Sequence, residues 1–152
     1  MSGEWQAVAA PAFFDQAVAW GLALPHCRAL GLCLKEARLG HAMLELPFKP
    51  ELVGHAQSRI LHGGVITSLA DSAGAVAIFT LLTELESVAT LDLRIDYLRP
   101  GQADQPLFCA AECYRLTQQI AFTRSFVYQH DVTQPLAQVV ASYMRTPSGG
   151  RP

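Results

Sequence analysis

Lysine is scarce in this sequence: among its 152 residues only Lys35 and Lys49 are lysines, and the arginines are scattered. The formal net charge is −2. Binding to a phosphate backbone needs clustered basic side chains, so we expect no nucleic-acid partner. Charged residues make up 16% of the chain and hydrophobic residues 51%, which excludes a disordered chain and predicts one domain, 1–152.

Metal and membrane signatures are also missing. The four cysteines form no C-x-x-C pair and join no histidine at zinc-ligand spacing, so we expect free thiols and no metal. The first residues show no basic start before an apolar segment, which argues against a secretory signal. The longest apolar run is interrupted by hydroxyl groups and by Asp71, which argues against a membrane span. The sequence therefore predicts a cytoplasmic protein without membrane partners or a redox cofactor.

The apolar pattern predicts an α+β domain. A short helix covers about 11–21, two strands cover 30–38 and 41–48, a loop covers 49–60, and one long helix covers 64–82. Four strands follow over 88–98, 106–117, 120–130 and 136–145, and residues 147–152 form a frayed tail. Strict alternation in the first of these four strands places Thr90 and Leu93 on opposite faces. An antiparallel sheet of about six strands, wrapped around the long helix, would bury that helix.

The start of the long helix carries two glycines, Gly63 and Gly64, which would allow a sharp turn and expose amide groups. The first amides of a helix have no internal partner and suit a negative oxygen. Further along, Ser68, Asp71 and Ser72 form a polar stripe that must meet something other than the core. Asp71 is eight residues past Gly63, or roughly 12 Å along the helix. A site that needs both groups must take them from two chains, which predicts at least a homodimer.

Several segments together resemble one known family. These are His62-Gly63-Gly64-Val65, Leu69-Ala70-Asp71 with Gly74, Ala89 to Leu93, and Tyr97 to Pro100. They are similar to hotdog-fold acyl-CoA thioesterases of the phenylacetate-degradation (PaaI-like) type, over roughly residues 25–146. The resemblance implies hydrolysis of an acyl-CoA to a free acid and coenzyme A, with no separate cofactor, and a tetramer. It implies that Asp71 is the catalytic carboxylate, that the Gly63 amide polarises the thioester carbonyl, and that Thr90 holds the water or the carboxylate.

One position departs from that family's pattern. The family usually carries Asn or Gln six residues before the histidine, where this chain has Ala56. A one-residue loop shift could bring Gln57 into place, or His55 could supply the contact. We expect His62 to have a structural or substrate-orienting role rather than to act as a base. Arg99 either pairs with a coenzyme A phosphate or is a solvated strand end.

Two other functions stay open at this stage. A hotdog hydratase or dehydratase would need a histidine paired with an acid, and His62 is available for that role. The double glycine after His62 favours the thioesterase instead. A hotdog dimer that binds acyl-CoA without turnover is the non-enzymatic alternative, and the departure at Ala56 keeps it open.

Overall fold

A computed structural model describes residues 6–147, so most of the predicted tail 147–152 lies outside the described residues. The N-terminal part contains α1 (Pro11–Leu22), α2 (Pro25–Leu30), β1 (Cys33–Arg38), β2 (His41–Leu46), a 3-10 turn (Pro50–Leu52), β3 (Val53–His55) and β4 (Ile60–Leu61). The long helix α3 (Gly63–Phe79) follows, and then β5 (Glu86–Tyr97), β6 (Leu107–Leu116), β7 (Ile120–Tyr128) and β8 (Ala137–Pro147).

Six of these strands form one antiparallel sheet in the order β1-β2-β6-β7-β8-β5, and α3 packs on its inner face. β3 and β4 form a separate small hairpin just before α3. The fold predicted from sequence, an antiparallel sheet of about six strands around a long helix, is confirmed. None of the helices within residues 6–147 combines the length and the apolar character that crossing a membrane requires.

The helix α3 is buried because its residues are apolar on nearly every side. Leu69, Ala73, Ala77 and Ile78 are completely buried. Ala73 and Ala77 are small, so the sheet can approach the helix closely. The helix ends at Phe79, three residues earlier than the sequence pattern predicted. The Thr80 hydroxyl stops it by donating to the Ala77 carbonyl at 2.6 Å while accepting the Gly40 amide at 2.8 Å.

Two segments differ from the sequence prediction. Residues 49–60 were predicted as a loop, yet they hold the 3-10 turn, β3 and the first residue of β4. The predicted strand over 30–38 begins only at Cys33, because Pro25 starts the short helix α2 and Gly31 closes it in a left-handed conformation with φ of 77°. Proline suits a first helical turn, and glycine adopts positive φ without strain.

The prediction of strict alternation in β5 was wrong around Thr90. A β-bulge lies between Thr90 and Asp92, so that Thr90 pairs with Tyr143 while Leu93 pairs with Ala141. Tyr143 and Ala141 are both buried residues two positions apart on β8, so their side chains share its inner face. The bulge therefore carries Thr90 to the same inner face as Leu93, towards α3.

The close contact between α3 and β8 gives a stability prediction. A Cβ at Gly74 would overlap the Tyr143 hydroxyl and lie 3.2 Å from Thr123 Oγ1. Gly74→Ala should therefore lower the free energy of unfolding by about 1–2 kcal/mol, since overpacking outweighs the gain in helix propensity. Gly21→Ala in α1 is the matched control, because the nearest atom there is 3.9 Å away. Urea unfolding curves that show equal effects for the two variants would contradict this packing.

Candidate active site

Asp71 lies half-buried on the polar stripe of α3 and faces a cleft of about 240 Å³. The cleft is formed by α2, α3 and β5 and is lined by His26, Thr67, Ser68, Asp71, Ser72, Thr90 and Leu93. The carboxylate therefore avoids the core, where a charge without a partner would be costly. It can be reached from solvent while it stays fixed by the helix on which it stands.

Thr90 holds the Asp71 side chain directly. Its hydroxyl Oγ1 donates to Asp71 Oδ1 at 2.6 Å, a short bond typical of a charged acceptor. The bulge in β5 makes this bond possible, because without it Thr90 would point to the other face of the sheet. One carboxylate oxygen is thus bonded to Thr90, and the Asp71 side chain lines the cleft.

The backbone that carries Asp71 is supported from the sheet side by Tyr143. The buried Tyr143 hydroxyl donates to the Asp71 main-chain carbonyl at 3.0 Å. Burial, with a smaller contribution from the charge of Asp71, raises the pKa of Tyr143 far above its ordinary value. The hydroxyl therefore stays protonated and remains a donor at any pH at which the protein would work.

The polar stripe meets α2, which the sequence did not reveal as a helix. His26 Nε2 lies 3.1 Å from Ser68 Oγ, and Cys27 Sγ lies 3.9 Å from Ser72 Oγ. His26 and Ser68 line the cleft beside Asp71, although neither was predicted from the sequence as a site residue. The stripe itself had predicted a polar partner outside the core, and Pro25 with Gly31 could have indicated the short helix.

At the other end of the stripe, the first turn of α3 is held by two side chains. His62 is the N-cap residue, and its Nδ1 accepts the Gly64 amide at 2.9 Å. The Tyr97 hydroxyl donates to the Gly63 carbonyl at 3.0 Å and lies 2.9 Å from Thr67 Oγ1. The Gly63 amide has no recorded acceptor within residues 6–147, so it remains available to an outside acceptor.

The glycines serve a different purpose from the one the sequence predicted. Neither Gly63 nor Gly64 has positive φ, because both are already part of the helix. A Cβ at Gly63 would lie 3.2 Å from the Tyr97 hydroxyl, and one at Gly64 would lie 3.0 Å from His62 Nδ1. A side chain at either glycine would thus crowd Tyr97 or His62, whereas the backbone there makes no turn that needs positive φ.

The other two candidate residues lie away from Asp71. Gln57 is exposed in the turn between β3 and β4, next to Ala56. The hairpin packs tightly on the start of α3, since a Cβ at Gly54 would lie 2.9 Å from His62 Cα. Arg99 lines a separate cleft of about 510 Å³, where its Nη1 donates to Gln134 Oε1 at 3.4 Å.

Burial keeps two of the four cysteines in the protonated thiol form. All four cysteines are free, and Cys109 and Cys113 are buried. Burial raises the pKa of Cys109 to about 12 and that of Cys113 to about 11, so both thiols stay protonated near neutral pH. Among residues 6–147, no group of three or more His, Cys, Asp or Glu side chains is arranged to hold a metal ion.

Comparison with known proteins gives one consistent family. Residues 59–135 match the model of the thioesterase superfamily. The chain is 34% identical over 134 residues to the medium/long-chain acyl-CoA thioesterase YigI of Salmonella typhimurium, covering 80% of this chain and 85% of that protein. It is 32% identical to YigI of Escherichia coli over the same shares of both chains.

Solved structures share the fold. A protein from Pseudomonas aeruginosa is 39% identical with a TM-score of 0.78, and the match covers 88% of this chain and 99% of that one. The Escherichia coli PaaI protein, from the phenylacetic acid degradation operon, is 22% identical with a TM-score of 0.77 over 93% of this chain and 96% of that one. At that identity the PaaI match concerns the fold alone.

The N-cap at His62 gives a testable prediction. His62→Ala should lower the free energy of unfolding by about 1 kcal/mol, because the Gly64 amide loses its acceptor. His62→Asn should recover most of that loss, since asparagine is a good N-cap residue. Chemical denaturation of the three proteins at one pH measures the difference. If the asparagine variant is as unstable as the alanine variant, the cap does not stabilise α3.

Proposed function

The chain belongs to the thioesterase superfamily, and from that premise we propose that it hydrolyses acyl-CoA thioesters to a free acid and coenzyme A. The observation that carries the proposal is the pair of Asp71 and Thr90 in an open cleft, where a 2.6 Å hydrogen bond fixes the carboxylate. A carboxylate fixed in this way can accept a proton from a water molecule. Because the YigI proteins are medium/long-chain acyl-CoA thioesterases, we extend the proposal to that substrate class.

In the proposed reaction, Asp71 acts as the general base. Water attacks the thioester carbonyl carbon while its proton moves to the carboxylate, and the carbonyl oxygen becomes an oxyanion. The oxyanion then collapses, the carbon–sulfur bond breaks, and coenzyme A leaves as a thiolate that takes up a proton. The second route consistent with the geometry is direct attack by Asp71, which forms a mixed anhydride that water later hydrolyses.

The Gly63 amide is the proposed oxyanion donor, and it must come from a second chain. Gly63 and Asp71 are eight residues apart on one straight helix, or roughly 12 Å. One carbonyl group cannot contact both positions. We therefore propose a homodimer in which Gly63 of one protomer faces Asp71 of its partner.

The strand β5 offers the surface for such a dimer. It is the last strand of the sheet, twelve residues long, and its outer edge pairs with no other strand within residues 6–147. Leu91 on this strand is 49% exposed, and Leu98, directly after its last residue, is 52% exposed. An unpaired edge of this length is a template for pairing with another chain.

The direction of β5 fits a two-fold arrangement. Thr90, nearer its start, contacts Asp71, while Tyr97 at its end contacts Gly63. Edge-to-edge antiparallel pairing of two copies reverses the strand direction, so the Tyr97 end of one protomer moves towards the Thr90 end of the other. A tetramer would be a pair of such dimers, as the family resemblance implies.

The remaining candidate residues have proposed supporting roles. Gln57 stands on the hairpin that packs against His62, and we propose that it supplies the polar contact absent at Ala56. Arg99 follows Tyr97 by two residues, and we propose that it meets a coenzyme A phosphate at the mouth of the site. We place the protein in the cytoplasm, where free cysteines stay reduced.

The role of Asp71 is tested by Asp71→Asn. The amide is nearly isosteric and can still accept the Thr90 hydrogen bond, but it cannot take a proton from water. Turnover of decanoyl-CoA, followed by release of free thiol, should fall roughly 100- to 10,000-fold. Asp15→Asn, a change to an exposed residue of α1, is the matched control and should leave turnover unchanged.

The same assay, run also with 2-decenoyl-CoA, separates the alternatives. Free thiol identifies hydrolysis, addition of water to the double bond of 2-decenoyl-CoA without free thiol identifies a hydratase, and binding without conversion identifies a non-enzymatic protein. Normal thiol release by Asp71→Asn would remove Asp71 from the chemistry.

The role of the Gly63 amide is tested by two variants of one position. Gly63→Pro removes the amide, while Gly63→Ala keeps it and adds a similar Cβ near Tyr97. Proline suits this first helical position, and the His62 ψ of 132° is compatible with a following proline. Thiol release should fall roughly 100- to 1,000-fold in the proline variant and much less in the alanine variant. Equal losses would show that crowding, not the amide, matters at this position.

A further inference from the structure

A second, apolar groove lies between α1 and the end of α3, and the proposed chemistry does not use it. It holds about 200 Å³ and is lined by Phe13, Gln16, Ala17, Trp20, Phe79, Leu85 and Glu86. Trp20 is 65% exposed and Leu85 is 63% exposed. Large apolar side chains that are grouped together and exposed to this extent usually indicate a binding surface.

The groove continues the face of α3 on which Asp71 lies. Ser68, Ser72, Ala75 and Phe79 recur at spacings of four, three and four, so they form one stripe along the helix. The stripe is polar at Ser68 and Ser72, beside Asp71, and becomes apolar at Ala75 and Phe79. Ala75 is small and only partly buried, so its side chain takes up little space on the helix face between the cleft and the groove.

The strand β5 provides the facing wall over the same distance. Towards its start, alternation places Val88 and Glu86 on the inner face that Thr90 occupies. Val88 packs against the core, and Glu86 lines the groove. Thr90 thus lines the cleft, Val88 follows on the same face, and Glu86 lines the groove. The inner face of β5 and the stripe on α3 therefore run in parallel from the cleft to the groove.

The charge in the groove is neutralised. Both oxygens of Glu86 accept from Arg145, at 2.6 and 2.8 Å, and the two side chains are 6% and 14% exposed. A bidentate pair of this kind leaves no free carboxylate oxygen to repel an apolar ligand or to demand water. The groove can therefore accept hydrocarbon at its far wall.

The distance suits a linear chain of medium length. Asp71 and Phe79 are eight residues apart, or roughly 12 Å along α3. An extended chain advances about 1.2 Å per bond, so roughly ten bonds join a carbonyl at Asp71 to the ring of Phe79. The groove is also somewhat larger than the roughly 150 Å³ cavity that takes a benzene ring, so it can hold several methylenes.

We propose that this groove binds the distal end of a linear acyl chain whose thioester lies at Asp71, and that Trp20 and Phe79 determine chain-length preference. The inference rests on the proposed function, because it takes the thioester position from Asp71. It predicts that acyl chains longer than about six carbons bind more tightly, because their distal carbons leave water and contact Trp20 and Phe79. A short acyl group ends before the groove and gains nothing there.

The direct test measures binding without hydrolysis. S-butyl-CoA and S-dodecyl-CoA are thioethers, so they cannot be hydrolysed, and isothermal titration calorimetry gives their affinities. Each methylene that leaves water contributes roughly fourfold, so partial burial of several should make S-dodecyl-CoA about ten- to a hundredfold tighter than S-butyl-CoA. Trp20→Glu should remove most of this difference and leave S-butyl-CoA binding unchanged. Trp20→Leu should keep most of it.

Val140→Glu is the matched control. Val140 is 49% exposed on β8 between the buried Val139 and Ala141, so it points away from α3. The Val140→Glu variant adds the same charge as Trp20→Glu, but outside the groove. It should change the affinity for neither S-butyl-CoA nor S-dodecyl-CoA. The groove inference is overturned if S-dodecyl-CoA binds no more tightly than S-butyl-CoA, or if Trp20→Glu leaves the difference intact or weakens both ligands equally.

Hydrolysis of butanoyl-CoA and dodecanoyl-CoA by the same proteins separates the two proposals. If thiol is released but kcat/KM for dodecanoyl-CoA does not fall selectively in Trp20→Glu, the groove inference fails and the proposed function stands. If the chain-length effect on binding appears while neither substrate is hydrolysed, the groove inference stands and the proposed function fails.

Discussion

The fixed rise of an α-helix is the constraint on which the proposed site depends. At 1.5 Å per residue, α3 keeps the Gly63 amide and the Asp71 carboxylate roughly 12 Å apart, and no side-chain rotation closes that gap. In the proposed dimer, each protomer therefore contributes two half-sites rather than one site. The first is the amide at the helix start, held by Tyr97, and the second is the carboxylate held by Thr90. Both half-sites contact β5, whose outer edge is unpaired within residues 6–147, so the proposal links catalysis to assembly.

Packing explains how the Asp71 carboxylate stays accessible on a helix that is otherwise buried. The sheet covers α3 through small residues such as Ala73 and Gly74, and Tyr143 reaches across that contact to the Asp71 backbone. On the opposite side, the bulge in β5 turns Thr90 inward and leaves a cleft between strand and helix. The apolar groove lies further along α3, at Phe79, so in the two proposals one face of α3 serves both the reacting group and the acyl chain.

The sequence predicted the elements in which the hydrophobic pattern is periodic over many residues. Alternation over eight to twelve residues predicted six strands, and a long apolar run predicted α3, because periodicity accumulates over such lengths. It missed α2, whose six residues are too few for a helical period, and the hairpin of β3 and β4, whose strands are too short to alternate. The bulge at Thr90 could not be predicted, because register depends on the partner strand β8. The role of the Gly63 amide stays a prediction, and the crowding at Gly63 could not be predicted, because Tyr97 is 34 residues away in sequence.

The shared site is tested most directly by mixing two inactive proteins. Gly63→Pro and Asp71→Asn are combined in equal amounts under conditions of subunit exchange, and thiol release from decanoyl-CoA is measured. A mixed dimer then has one site with both defects and one site with neither. Random exchange should restore about a quarter of the wild-type activity, although each variant alone is inactive. If exchange is verified by mass spectrometry of tagged subunits and no activity returns, Gly63 and Asp71 do not serve one carbonyl across two chains.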